Sequence, residues 1–595
     1  MQTNNQPLSV TGKLWQLRPA DERHIWSITQ SHSLPEIVAR LLVGRGIITE
    51  TVSGYLTPTL RDLLPDPSSL LDMDKAVDRV LCALDKKEKI VVYGDYDVDG
   101  ATASSLLRRY FHDIGHPIGL YIPDRIEEGY GANSQALEQL HTQGTNLILM
   151  VDCGTTSFEP LSHAHSLGLD VIVLDHHSAE AALPQAVAVI NPNRLDQDLP
   201  TPETTHSVNM RHLCAAGVAF LFLVGVQRAL RQKGWFQTTP EPNLLNYLDL
   251  VALGTVCDVM PLTGLNRAIV SQGLKVFKKR GNLGLATLAD VASVSEAISA
   301  YHLGFVLGPR INAGGRVGQA DLGSRLLSTS DSLEAQKIAK SLHDYNVQRQ
   351  EIEKQVLEES IELIESKNLD KNPILLVGND GWHPGVIGIV ASRLKERYNR
   401  PACVVAFDND VGKGSGRSIY GVEMGASMHV AVHLGLLEKG GGHAMAAGFT
   451  VNRLQFDAFY DFLNDHLGKQ IETVTPILKL DGYLSLAGAT TELLKSMQKL
   501  EPYGNGNSTP RFAFSQVTIP FSKVVGANHL SCQLQDPTGK RIKAIAFRAK
   551  NTPLGDLLEG ASKIPVDIAG TIRLDSWNGQ EQVSLTIEDA RSTIP

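Results

Sequence analysis

Residues Ile90–Leu107, IVVYGDYDVDGATASSLL, join two regular elements across a cluster of acids. Ile90 to Tyr93 can be buried on both faces and read as a central parallel strand, while the run after Gly100 carries its apolar residues at helical spacing. Between them stand Asp95, Asp97 and Asp99. Carboxylates this close repel one another, so at the end of a buried strand they call for cations to neutralise them.

On either side of this stretch the pattern predicts βα repeats. A helix over about 101–114 stops at Gly115, strands follow near Ile118–Ile122 and Leu147–Val151, a helix ends near Gly168, and a strand covers Val171–Leu174. Asp95, Asp152 and Asp175 each follow a strand. In an open α/β sheet the carboxyl ends of parallel strands share one edge, where ligands bind, so these acids should converge. Asp258, flanked by apolar residues in a mainly helical stretch from about 208 to 276, needs a partner to sit there.

Further on, Asp331 and Glu334 form a capping-box pattern opening a long helix to about Ser366, with an apolar stripe and charged outer faces. Such a helix suits a link between domains. A second α/β unit follows, with strands Pro373–Val377 and Cys403–Phe407 and two glycine-rich stretches, GKGSGRS and KGGGHAMAAG. After about residue 470 short alternating segments at Arg511–Ile519, His529–Leu534, Arg541–Phe547, Val566–Leu574 and Gln582–Ile587 predict a small barrel such as an OB-fold. The helix predicted over Leu34–Gly46 belongs to an N-terminal extension laid on the next domain, and Tyr55–Met73, with its prolines, reads as a covering loop.

The 595 residues, 43% of them apolar, suit a multidomain soluble protein. Six scattered cysteines without a CxxC pair fit a reducing cytosol. The N-terminus lacks the basic-then-apolar order of a secretory signal, and the apolar run Leu213–Val226 is shorter than the roughly 20 residues that span a bilayer, so no membrane and a cytoplasmic location are expected. The net charge of −9 argues weakly against passive coating of a polyanion, but charge is nearly balanced from Ile471 onward, which leaves a nucleic-acid partner open.

The DxDxDG string permits two other readings. An EF-hand loop would need a carboxylate at its twelfth position, where Leu106 stands, and would follow a helix. An aspartyl-phosphatase site, DxDx(T/V), is matched by Asp95, Asp97 and Val98 and would make Asp95 a covalent nucleophile. The second cluster, VLDHHSAE, decides between these and a metal cage. Asp175, His176 and His177 offer oxygen and imidazole donors suited to Mn²⁺ or Mg²⁺, and with acids on other strand ends they supply what a two-metal phosphoryl-transfer site needs.

The ordered motifs GDYDVDGATAS, IPDRIEEGYG, VDCGTTS, LDHH, the segment around Asp258, LGPRINAGGRVG, DGWHPGVIGIVASRL, GGGHAMAAGF and EPYGNGNSTPRF resemble the DHH phosphoesterase superfamily, and within it the single-strand exonucleases, over nearly the whole chain. The resemblance implies an α/β fold with a parallel-sheet DHH catalytic domain (51–330) after an extension (1–50), a connecting helix (331–368), a smaller α/β DHHA1 domain (369–470) and a C-terminal OB-fold barrel (471–595). It implies two Mn²⁺ or Mg²⁺ ions held by Asp97, Asp99, Asp152, His176 and Asp258, with Asp152 bridging and Asp95 completing the set around the first metal, while His177 touches the scissile phosphate or leaving oxygen. Arg125, Arg310 and Ser392 would form a 5′-phosphate pocket.

Arg310 and Arg316 flank GPRINAGGRVG, read here as a loop whose amides grip phosphate, although any one arginine could equally form a surface ion pair. Gly441, Gly442 and His443 suit a backbone contact or a tight strand connection. In the barrel, Arg541, Lys543, Arg548 and Lys550 beside Phe547 suit single strands, or a solvated edge strand. Ala215 and Ala216 in LCAAGVAF stand where a glycine is expected in one place, and neither is expected to touch a ligand.

The implied activity is 5′-to-3′ removal of mononucleotides from single-stranded DNA in repair and recombination, by a monomer, with single-strand binding protein and a RecQ-type helicase as partners suggested by the family alone. The rivals are a DHH phosphodiesterase for short RNA or cyclic dinucleotides and a non-catalytic DNA-binding replication scaffold, which would be expected to lose the ligands present here.

Overall fold

The strand Ile90–Gly94 is buried at every position and lies inside a wholly parallel sheet. The computed structural model describes residues 7–124, 128, 129, 131–199, 208–471, 475–577 and 580–593. Sheet order is Gly119–Tyr121, Ile90–Gly94, Leu147–Val151, Asp170–Leu174, Ala188–Ile190. The chain leaves Ile90–Gly94 toward one side and returns to pair Leu147–Val151 on the other. A topological switch point therefore opens between these two strands, at their carboxyl ends.

Register fixes what lies there. Gly94 pairs Val151, Val151 pairs Leu174 and Leu174 pairs Ile190, so Asp95, Asp152, Asp175 and Asn191 leave the sheet side by side. The helix Val98–Asp113 is buried over most of its surface because it packs against the helices Ala215–Gln232, Leu248–Cys257 and Leu322–Ser328. The helix Leu248–Cys257 before Asp258 is thus buried from Leu248 to Thr255, which explains its mainly apolar character.

The chain forms two compact units: one runs to Asn312 and adds Ala320–Ala339 and the segment from Ile477 onward, and the other is Ala313–Gln319 with Lys340–Pro476. The long helix Ser332–Ser366 passes from the first to the second. Asp331 caps it through Leu333 N at 2.8 Å, but Glu334 turns to Arg325 and Thr329 rather than back to Asp331, so only half of the capping box forms.

The second unit holds the sheet Lys439–His443, Ala446–Asn452, Val411–Arg417, Ala402–Asp408, Leu375–Asp380, with only the last pair parallel. GKGSGR is a strand in which alternate glycines leave room for neighbours: Cβ atoms on Gly414 and Gly416 would stand 2.1 Å from Phe449 Cε2 and 2.3 Å from Met424 Sδ. In the first unit, strands Phe512–Val525, His529–Gln535, Arg541–Ala546, Gln580–Ser592 and Val566–Trp577 close into a five-stranded barrel, all at the predicted places.

The leading segment joins this barrel instead of lying on the sheet domain that follows it. Leu14–Leu17 pairs in parallel with Ile477–Leu480, and Ile25, Ile28, Leu41 and Leu42 share one apolar core with Phe512, Phe514 and Ile568. Tyr55–Met73, expected as loop, contains the short helix Leu60–Leu63 and a 3₁₀ turn at Pro67–Ser69. Among the described residues no helix is long and apolar enough to cross a membrane.

Candidate metal centre

Each acid of the opening cluster is set by a different backbone feature. Asp97 is the N-cap of Val98–Asp113, its Oδ1 accepting Asp99 N (2.8 Å) and Gly100 N (3.1 Å). Gly100 is required because a Cβ there would lie 2.4 Å from Asp95 O. Asp99 is held by the amides of Ala215 (2.6 Å) and Ala216 (3.0 Å) at the start of Ala215–Gln232, where the helix dipole favours an anion. The expectation that LCAAGVAF touches no ligand is thereby corrected: its backbone, not its side chains, grips Asp99. Gly254 keeps this site open, since a Cβ on it would stand 2.8 Å from Asp99 Oδ1.

Asp152 occupies the left-handed region at φ 60°, a strained conformation of the sort found at functional sites. It stands where three overlapping groups of donors come together. Asp95, Asp97 and Asp152 each bring an oxygen within 4.8 Å of the others, as do donor atoms of Asp99, His176 and Asp258, and of Asp152, His176 and His177. His176 Nε2 lies 3.3 Å from Asp152 Oδ1, 3.5 Å from Asp258 Oδ2 and 3.7 Å from Asp99 Oδ2.

Burial raises the Asp152 carboxyl well above the ordinary range, and repulsion from Asp97, Asp99, Asp95 and Asp258 adds to it. Burial likewise raises Asp99 and, with repulsion from Asp99 and Asp97, pushes Asp258 up to about 8. Asp258 Oδ2 is buried without a hydrogen-bond partner among the described residues. Hard oxygens, imidazole and excess negative charge fit divalent Mn²⁺ or Mg²⁺.

A pH dependence follows. The folded metal-free protein holds protons on these carboxyls that the unfolded chain has already released, so its stability falls as pH rises from the ordinary carboxylate range toward the raised values. Mn²⁺ must displace those protons, so its binding strengthens over the same window. The rise in melting temperature on adding Mn²⁺ should be larger at about pH 8.5 than at about pH 6. An equal rise at both would separate the ion from these acids.

Asp175 does not face the other acids as a ligand. Its oxygens accept Thr155 N (3.0 Å), His176 N (2.8 Å), His177 N (3.2 Å) and His177 Nδ1 (2.7 Å). Burial opposes its charge, but His177 overcomes this and holds the carboxyl below its usual range. Burial also opposes protonation of His177, yet the bond and charge of Asp175 raise the ring to about 9. Asn193 Nδ2 donates to His176 O (2.6 Å) and Asn191 Nδ2 to His177 O (2.8 Å), so the strand-end Asn-Pro-Asn braces both histidines. Sequence reading passed over Asn191 and Asn193; their signal was a polar residue directly after a buried strand, as at Asp95, Asp152 and Asp175.

The proposed phosphate residues are divided between the two units and the residues that are not described. Arg125 lies outside the described residues. GPRINAGGRVG is not a loop: a π-turn at His302–Leu307 runs into the helix Gly308–Val317, and the amides within it serve the helix. Its glycines answer to close packing, a Cβ on Gly308 meeting Cys257 Sγ at 2.5 Å. Arg310, in the first unit, donates to Val306 O (2.6 Å). In the second unit Arg316 donates to Gly385 O (2.8 Å), Ser392 Oγ to Gly388 O (3.3 Å), and Gly441, Gly442 and His443 lie on the sheet's edge strand.

Comparison with known proteins agrees with this architecture. Residues 89–255 match the DHH family N-terminal domain, 371–469 the DHHA1 domain and 480–589 the RecJ OB domain. The chain is 32% identical to the single-stranded-DNA-specific exonuclease RecJ of Bacillus subtilis, covering 97% of this chain and 70% of that one. It is 33% identical to the Escherichia coli RecJ, covering 93% and 96%. The crystal structure of Thermus thermophilus RecJ in complex with Mn²⁺ superposes with a TM-score of 0.80 at 29% identity, covering 98% of this chain and 80% of that one. With three domain models in order and relatives of this identity along most of its length, the chain belongs to the RecJ family of DHH/DHHA1 hydrolases.

Proposed function

We propose that this protein is a metal-dependent exonuclease that degrades single-stranded DNA from its 5′ end to 5′-mononucleotides, in repair and recombination in the cytoplasm. The observation that carries the reading is the pair of donor groups, Asp95/Asp97 and Asp99/His176/Asp258, meeting at Asp152 on the switch point of a parallel sheet. Relatives named as single-stranded-DNA-specific exonucleases support the substrate.

Two divalent ions held by these residues would supply positive charge to a phosphodiester and activate water toward it. Asp152, beside both donor groups, would help to hold either ion. Asp95 and Asp97 leave the loop before Val98–Asp113 with their backbone fixed by the cap. Asp175 takes His177 Nδ1, and the raised pKa of the ring keeps a proton available for a phosphate or departing 3′ oxygen. Arg125, Arg310 and Ser392 are the proposed 5′-phosphate contacts, with Arg316, Gly441, Gly442 and His443 along the strand. On the barrel, half-exposed Phe547 lies edge-on to His529 at 5.3 Å beside Arg541, Lys543 and Arg548, a mixture of cation and aromatic suited to bases and backbone.

End-labelled single strands and blunt duplexes incubated with Mn²⁺, Mg²⁺ or chelator test this reading. A 5′ label should appear at once as mononucleotide while a 3′ label shortens progressively; duplex should resist and chelator should stop the reaction. Digestion from the 3′ end, or faster turnover of a cyclic dinucleotide, would overturn it.

A further inference from the structure

Asp258 reaches the metal centre from a turn strained by a single residue. At the end of Leu248–Cys257, Val259 N donates to Val256 O (3.2 Å) and Met260 N to Thr255 O (3.1 Å), the paired bonds of a Schellman cap. Such a cap places a left-handed residue where glycine is usual. Here that residue is Val259, at φ 58°. A β-branched residue in this region is strained, and strain of this kind persists only where its surroundings fix it. Val259 is 64% exposed, so its own packing does not hold the turn.

The loop Glu501–Asn507, EPYGNGN, does lie on it. Asn505 Nδ2 donates to Val259 O (2.6 Å), and Asn505 O accepts Leu262 N (2.7 Å). A Cβ on Gly504 would stand 2.6 Å from Leu262 Cδ1 and one on Gly506 3.2 Å from Pro261 Cβ, so the loop backbone rests directly on the segment after Asp258. The loop is itself anchored. Buried Asn507 donates to Leu500 O (2.9 Å) and Pro502 O (2.8 Å) and accepts from Arg45 Nε (2.9 Å) and Tyr55 Oη (3.0 Å). Buried Arg267 donates to Leu500 O (3.0 Å) and Glu501 O (2.8 Å) while its guanidinium sits 4.0 Å from the centre of the Tyr55 ring.

We propose that the Glu501–Asn507 loop, acting through Asn505, is a positioning element of the metal centre: it clamps the strained turn at Val259 and so holds the Asp258 carboxylate against His176. Asn505 touches neither ion nor substrate; its effect passes through Val259. The same loop leads through Arg511 into the barrel strand Phe512–Val525, so the segment that enters the barrel also fixes the acid at the end of Leu248–Cys257. The proposal rests on the reading of Asp258 as a metal ligand given above.

The test is calorimetric Mn²⁺ binding to the full chain without DNA, beside single-strand cleavage at graded Mn²⁺. Asn505→Ala and Asn505→Asp, which each remove the donor to Val259 O, should weaken Mn²⁺ binding about tenfold, in line with the effect of losing a group that orients a ligand. The Mn²⁺ needed for half-maximal cleavage should rise by the same factor, with KM for DNA at saturating Mn²⁺ unchanged. Adding Val259→Gly, which makes the left-handed turn unstrained, should restore binding. A loop that merely joins domains would lower the melting temperature of single and double variants alike and leave Mn²⁺ binding at the wild-type level, and that result overturns the proposal. If the wild type binds Mn²⁺ but cuts no single strand, the exonuclease reading falls while the calorimetric result still decides the role of Asn505.

Discussion

Asp152→Asn should lower single-strand cleavage by at least about a thousandfold, an effect on the order of 4 kcal/mol in the barrier, and should also raise the melting temperature of the metal-free protein. The two changes have one cause. Asp152 is the acid that both donor groups approach, so losing its charge weakens both ion positions together. Without ions the same charge is a liability: burial and four neighbouring carboxylates oppose it. A neutral amide of the same shape removes that repulsion. Asparagine is the informative replacement because the residue sits at φ 60°, which asparagine tolerates and alanine does not, so a backbone penalty cannot mask the gain. The measurements are thermal melting in chelator as pH is raised through and above about 8, where these carboxyls lose their protons and the repulsion develops, and initial rates with Mn²⁺. Rapid degradation by Asp152→Asn would remove Asp152 from the shared position, and a lower melting temperature would show that the acids are not in conflict.

The sheet and its acidic edge were legible because the physics that buries a parallel strand also writes it as an uninterrupted apolar run, as in Ile90–Tyr93, Leu147–Val151 and Val171–Leu174. A carboxylate directly after such a run is then conspicuous. The barrel strands were legible through alternation, which one buried and one solvated face require. What escaped depends on contacts between residues far apart in the chain. Leu14–Leu17 carries no local mark of its partner at Ile477–Leu480. GPRINAGGRVG reads as a loop because glycine serves both left-handed turns and close approach, and only the neighbouring Cys257 reveals that Gly308 serves the second.

The centre shows the same limit: chemistry was legible by residue type, and role was not. Asp175 and Asp152 are both acids after buried strands, yet one is surrounded by donors and the other by acids. Ala215 and Ala216 act through amides that every non-proline residue possesses, so no side chain could have announced them.

That difference between two similar aspartates gives the second large effect. Asp175→Asn should reduce cleavage about a hundredfold while leaving the carboxylates of the metal centre unaltered. The wild-type carboxylate accepts from three backbone amides and from His177 Nδ1. An amide side chain keeps one acceptor and sets an NH₂ group against donors, so either the Thr155 side or the histidine side must move. Because His176 N and His177 N share Oδ1 with the His177 ring, displacement there disturbs both imidazoles together. Loss of the anion also removes the hydrogen bond and charge of Asp175 that do most to raise His177 to about 9, while burial still opposes its protonation, so in the metal-free protein its ring should titrate well below that value. NMR titration of the histidine resonances measures that fall directly, separately from turnover. A wild-type cleavage rate with His177 still titrating near 9 would show that Asp175 neither orients nor charges the ring, and the available proton would have to be attributed to another group.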